Sequence, residues 1–186
     1  MIGFAFCGSF CTLSHALAAL RHLCASGLEI QPIMSDAVYG TDTRFWHAEE
    51  FRNTVESLCG RPVIHTIVDA EPLGPAHPLD ALIIAPCTGN TLAKMAHGIT
   101  DTAVTMAAKA HLRADRPTLI ALASNDSLSA NLSNIATLLL RKQVYFVPMR
   151  QDEPDKKPHS LVADFTCIPD ALEAARRGAQ RRPLFL

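Results

Sequence analysis

The run Ala-Leu-Ile-Ile-Ala at residues 81–85 constrains the fold more than any other feature of the chain. It is apolar throughout, shows no alternation of apolar and polar positions, and is closed at once by Pro86, so it is too short for a core helix. A strand of this kind is buried on both faces, which calls for a parallel sheet covered by helices on each side. The pattern recurs. Residues 2–6, 118–123 and 144–147 are further short, largely apolar runs, residues 29–34 read as the second strand, and the β-branched stretch at 62–68 reads as the third in chain order.

Between these runs the apolar period changes to that of a helix. Leu13, Ala16, Leu17, Leu20 and Leu23 recur at helical steps until Gly27, and Phe51, Val55 and Leu58 do so until Gly60, which is placed to cap them. Leu92, Met95, Ala96 and Ile99 mark a third helix, residues 102–114 a fourth, and Leu128, Leu132, Ile135 and Leu139 a fifth; a last one covers residues 170–178. The proline-rich stretch 70–78 and the polar stretch 150–160 read as loops. Strands alternating with helices, joined by right-handed crossovers, predict a three-layer, Rossmann-like, doubly wound α/β fold with about six strands. With no linker or repeat in view, residues 1–186 are expected to form a single domain.

Composition removes several functions. Eighteen acids against seventeen bases give a formal charge of −1, which leaves no electrostatic footprint for nucleic acid or an anionic membrane. Residues 1–25 are apolar, but they lack a basic leading region and are broken by Cys7-Gly8-Ser9 and Ser14-His15, so neither a signal peptide nor a membrane span is expected. The chain is expected in the cytoplasm. There its six scattered cysteines read as free thiols, and no His/Cys spacing suggests a metal site.

Open parallel sheets bind ligands at the carboxyl ends of their strands, close to where strand order reverses. The loops there are therefore the places to search. After the first strand, Cys7-Gly8-Ser9-Phe10-Cys11-Thr12 opens directly into a helix, so free N–H groups and the positive end of the helix dipole could cradle a phosphate; Ser9 or Thr12 could equally just cap the helix. Ser35 after the second strand could add a hydroxyl or act as a cap. In Ala85-Pro-Cys-Thr-Gly-Asn-Thr-Leu-Ala-Lys-Met-Ala-His-Gly-Ile-Thr-Asp101, the residues Thr88, Asn90 and Thr91 offer the donors and acceptors that sugar hydroxyls and a heteroaromatic edge require. More polar groups gather there than a cap needs. Ser124-Asn-Asp-Ser127 repeats the theme, with an N-cap at Asp126 or Ser127 as the plainer reading.

The Gly8-Ser9 turn, Ser35, and Ala-Pro-x-Thr-x-Asn-Thr-x-Ala-Lys-x-Ala-x-Gly-x-x-Asp resemble the flavoprotein family that includes the oligomeric flavin-containing cysteine decarboxylases. Thr41-Asp-Thr-Arg-Phe45, Ala70-Glu-Pro-Leu-Gly-Pro75, Met106-Ala-Ala-Lys-Ala110 and Gln151-Asp-x-Pro-x-Lys-Lys-Pro158 are similar to the branch formed by the B subunits of dipicolinate synthases from spore-forming bacteria. The resemblance runs end to end. It implies flavin mononucleotide (FMN), with its phosphate at Gly8, Ser9, Thr12 and Ser35, its ribityl chain and ring at Pro86, Thr88, Asn90 and Thr91, and Ser124 and Asn125 approaching the ring from the other side. It implies trimers or dodecamers, a partner in the A subunit of the synthase, and the cytoplasm of a mother cell. The implied reaction is oxidation of a dihydrodipicolinate to dipicolinate.

The chain also departs from the decarboxylases. Glu71-Pro72-Leu73 stands where they carry a catalytic histidine, and His65 and His77 only flank the place. Decarboxylation, or the related prenyl transfer, is thus the alternative reading, as is a non-catalytic module that merely binds the A subunit. A dicarboxylate substrate needs cations, and Arg44, Lys156 and Lys157 lie in loops that could supply them. Lys94, Arg44 and Asp101 are the candidates for catalysis. Cys87, beside the ligand loop, reads as a packing residue for want of a neighbour that would lower its pKa.

Overall fold

The structure, a computed structural model, describes residues 1–74 and 76–186. Five of the predicted runs become strands: β1 (Ile2–Phe6), β2 (Ile30–Met34), β3 (Ala81–Cys87), β4 (Thr118–Ser124) and β5 (Val144–Phe146). Two short strands follow, β6 (Met149–Arg150) and β7 (Leu161–Ala163). All seven form one sheet in the order β2-β1-β3-β4-β7-β6, with β5 also paired to β4. Strands β1 to β5 pair in parallel; β7 runs antiparallel to β4 and to β6. Every residue of β1, β2 and β3 is buried, as a sheet covered on both faces requires.

The helices are α1 (Leu13–Ala25), α2 (Asp36–Gly40), α3 (Ala48–Cys59), α4 (Ile67–Ala70), α5 (Gly89–His97), α6 (Ala103–Leu112), α7 (Leu132–Leu139) and α8 (Ile168–Arg176). Alternate strand residues face opposite layers. Phe4, Phe6, Ile83 and Ala85 pack with α1, α3 and α8, whereas Ala5, Leu82 and Ile84 pack with α5, α6 and α7. Gly60 ends α3 in the left-handed conformation at φ 62°, as its position in the sequence predicts. Thr102 and Thr105 exchange side-chain and backbone bonds at the start of α6, a capping box. Among the described residues no helix is long and apolar enough to cross a membrane.

Three expectations are corrected. Residues 62–68 form no strand: Ile64 makes a single parallel bridge to Ile33, and the chain then turns into α4. The cause is local, because Thr66 Oγ1 accepts the Asp69 N–H at 3.1 Å and so caps a helical turn where β-branched composition suggests extension. The stretch 70–78 carries a further helical turn, Glu71–Leu73, and its Pro75 lies outside the described residues. The stretch 150–160 is less a plain loop than the connection of the antiparallel pair β6–β7, which makes the sheet mixed and seven-stranded.

Candidate functional site

Strand order reverses between β1 and β3, the place where a sheet of order 2-1-3-4 opens a crevice at its carboxyl edge. Hydrogen bonds knit the loops there. The Cys7 amide donates to Pro86 O at 3.1 Å, and the Ser35 amide to Phe6 O at 3.0 Å, so the ends of β2, β1 and β3 lie side by side. Past Gly8 the chain makes the turn Phe10–Thr12 and enters α1. Thr12 Oγ1 donates to Ser9 O at 2.9 Å and to Ser9 Oγ at 3.1 Å. Ser35 stands at the start of α2 without capping it; its Oγ is buried and has no hydrogen-bond partner.

At the end of β3, Thr88 caps α5 by accepting the Thr91 N–H at 3.2 Å, and its hydroxyl donates to Thr91 Oγ1 at 3.1 Å. Asn90 is exposed, one residue from the cap. At the end of β4, Ser124 Oγ donates to Asp126, which also accepts Asn131 Nδ2 at 2.9 Å; Asn131 Oδ1 in turn accepts Asn134 Nδ2 at 2.9 Å. Asp126 therefore does not cap the next helix, which begins only at Leu132. It holds the strand-end loop in one shape. Gly89 presses into that loop: a Cβ there would come 2.5 Å from Ser124 Oγ and 2.7 Å from Asp126 Oδ1.

A groove of about 960 Å³ opens between α1 and the β6–β7 segment. Of the residues singled out by sequence, Ser9, Thr12, Ser124, Asn125 and Lys157 line it. Gly8, Ser35, Pro86, Thr88, Asn90 and Thr91 belong to the same set of strand ends but stand outside its lining. Arg44, Lys156, Lys94 and Asp101 do not line it either. The Arg44 guanidinium lies 4.8 Å from the Phe45 ring, Lys156 pairs with Glu153 at 3.8 Å, and Lys94 meets both oxygens of Asp101 at 2.8 Å. That bond holds the Asp101 carboxyl below its ordinary pKa, opposite to what a base working near neutrality needs.

Sequence reasoning missed several groups on the groove wall, among them His15, Arg150, Asp152, Asp164 and Phe165. The charged stretch after residue 150 was a visible signal, but its approach to α1 depends on a strand pair formed far along the chain. Arg150 Nη2 donates to Asp164 Oδ2 at 3.0 Å, and Lys157 Nζ to Asp152 Oδ2 at 2.8 Å. The Thr166 hydroxyl and amide hold the Asp164 carboxyl below its ordinary pKa, and the bond to Asp152 raises that of Lys157. Burial pushes the Cys7 thiol up to about 11 and Cys87 well above its ordinary value, so neither is a ready nucleophile. Among the described residues no cluster of three His, Cys, Asp or Glu could hold a metal ion.

Comparison with known proteins shows the family and the fold. The pattern of the family described as Flavoprotein matches residues 1–166. The chain is 40% identical over 185 residues to the B subunit of dipicolinate synthase from Bacillus subtilis (strain 168), covering 100% of this chain and 92% of that protein. The crystal structure of the B subunit of dipicolinate synthase from Bacillus halodurans superposes with a TM-score of 0.92 at 39% identity, over 100% of this chain and 95% of that one. That of the FMN-dependent cysteine decarboxylase SpaF gives 0.68 at 26% identity, over 94% and 95%.

Proposed function

This chain belongs to the flavoprotein family, and we propose that it is the flavin-holding B subunit of a dipicolinate synthase, oxidising a dihydrodipicolinate with the help of the A subunit. The observation that carries this reading is the likeness to a dipicolinate synthase B subunit over the whole chain, with 40% identity. The residues at the strand ends fit FMN. Ser35 Oγ is a buried hydroxyl without a partner beside the β1 turn, an arrangement that is costly unless something else supplies the bond. With Ser9, Thr12 and the N–H groups at the start of α1 it makes a set of donors for a phosphate. Pro86, Thr88, Asn90 and Thr91 would contact the ribityl chain and ring, and Ser124 and Asn125 would meet the ring from the groove.

When bound, a flavin supplies a hydride acceptor for a dehydrogenation that makes a ring aromatic. The chain itself would bind and orient the substrate. The Asp126–Asn131–Asn134 network fixes the Ser124–Asn125 loop, so these groups need no rearrangement when a ligand arrives. Lys157 offers charge to a carboxylate. The cysteine-decarboxylase alternative is disfavoured, since the turn Glu71–Leu73 carries no histidine and His65 is stacked on Tyr39 at 3.6 Å. Assembly as a trimer or dodecamer, and work in the cytoplasm of a sporulating cell, belong to the same proposal.

Two measurements test it. Purified protein incubated with FMN should show flavin absorbance that stays with the protein on gel filtration. Dipicolinate should then form faster in a mixture of this chain with the A subunit than in the same mixture lacking this chain. Absence of retained flavin removes the flavin role, and an unchanged rate removes the catalytic one.

A further inference from the structure

A groove that receives an anion needs cations with donors to spare. Among the described residues lining this one, Arg150 at the end of β6 and Lys157 on the β6–β7 connection are the two side chains with a permanent positive charge. Each has an acidic neighbour, but the two pairs differ. Asp164 is itself anchored, since its other oxygen accepts the Thr166 N–H at 3.0 Å and the Thr166 hydroxyl at 2.6 Å. It holds Arg150 through one nitrogen only. A guanidinium carries five N–H donors in a fixed fork, so an oriented Arg150 keeps a free edge suited to a bidentate carboxylate.

Lys157 has a partner without such an anchor, since among the described residues the Asp152 carboxyl accepts from Lys157 alone. Its partner Asp152 sits on the exposed connection, and the two side chains are 39% and 40% exposed. Exposed ion pairs contribute little, so an incoming carboxylate can take the place of Asp152. The same groove is also walled by flat or small apolar groups, including Ala18, Ala123, Val162 and Phe165. Two cations on one wall, with apolar surface beside them, match a flat ring bearing two carboxylates.

We propose that Arg150 is the specificity-determining carboxylate anchor of this groove and that Lys157 receives the second carboxylate. The proposal rests on the reading of the groove as the substrate site of a flavoprotein. It assigns recognition to Arg150, which stands apart from the Lys94–Asp101 and Arg44 candidates.

The test is calorimetric titration of the full chain, flavin-free and FMN-saturated, with pyridine-2,6-dicarboxylate and separately with pyridine-2-carboxylate. The wild type is expected to bind the dicarboxylate at least about tenfold more tightly than the monocarboxylate. Arg150→Ala should weaken the dicarboxylate about tenfold to a hundredfold. Arg150→Lys should recover only part of that, since an ammonium lacks the fork, and Lys157→Ala should erase the preference for two carboxylates over one. Circular dichroism and FMN affinity should match wild type in the Arg150 variants. Equal dicarboxylate affinity in wild type and folded Arg150→Ala, or no dicarboxylate binding by wild type, overturns the proposal. Loss of FMN binding by the wild type would instead strike the flavin reading, while the flavin-free titrations still decide the role of Arg150.

Discussion

Gly89 lies against Ser124 so closely that a Cβ on Gly89 would stand 2.5 Å from Ser124 Oγ and 2.6 Å from Asn131 Nδ2. The first residue of α5 and the last of β4 are thereby fixed to each other, and two of the ligand loops behave as one body. Gly89→Ala should push Ser124 and Asn131 out of their network, lowering stability by about 1–3 kcal/mol and weakening FMN retention. Chemical denaturation together with a flavin titration checks both effects; an unchanged titration would detach this contact from the site.

Ser35 separates stability from binding. Its hydroxyl is buried and makes no hydrogen bond, so Ser35→Ala should leave the flavin-free protein within about 0.5 kcal/mol of wild type. FMN affinity should nevertheless fall about tenfold, because a phosphate donor is gone. Equal affinity in the two proteins would place the phosphate elsewhere.

The cysteines should divide by burial. Cys7 and Cys87 are buried with raised pKa values, whereas Cys11 is exposed. Iodoacetamide at pH 8 should therefore label Cys11 in the folded protein and leave Cys7 and Cys87 until denaturant is added. Peptide mapping reads this directly, and labelling of Cys87 without denaturant would reopen a nucleophilic role for it.

His111 should make stability depend on pH. Burial lowers its pKa from the ordinary value of 6.5, and its Nε2 meets Pro117 O at 2.9 Å while Nδ1 has no partner. A base with a depressed folded pKa is stabilised in its neutral form. The unfolded chain then binds more protons just below 6.5, so stability is full above that value and declines as pH falls through it. His111→Gln, which keeps a donor for Pro117 O, should flatten the slope of melting temperature between pH 7 and pH 5. An equal slope in both proteins would assign the dependence to other groups.

Much of the molecule could be read before any coordinates. The apolar runs at residues 2–6, 81–85, 118–123 and 144–147 fall on strands, where burial on both faces leaves no polar alternation to misread, and residues 30–34 form a strand despite the buried Gln31. The 62–68 stretch misled because β-branched composition is a weak preference, and the Thr66 cap, a bond spanning three residues, overrode it. Thr66-Ile-Val-Asp69 is a capping pattern visible in the sequence.

The sequence by itself determined which loops stand at strand ends, because strand length and helix caps are set by neighbours a few residues apart. Only tertiary structure decided the wall opposite α1. β6 and β7 are two and three residues long, too short to announce themselves, and they exist because β7 pairs antiparallel with β4, nearly forty residues earlier. That long-range pairing carries Arg150 and Lys157 to the groove. Likewise, the pairing of Lys94 with Asp101 across the end of α5 fixed where its charge goes, which residue type alone left open.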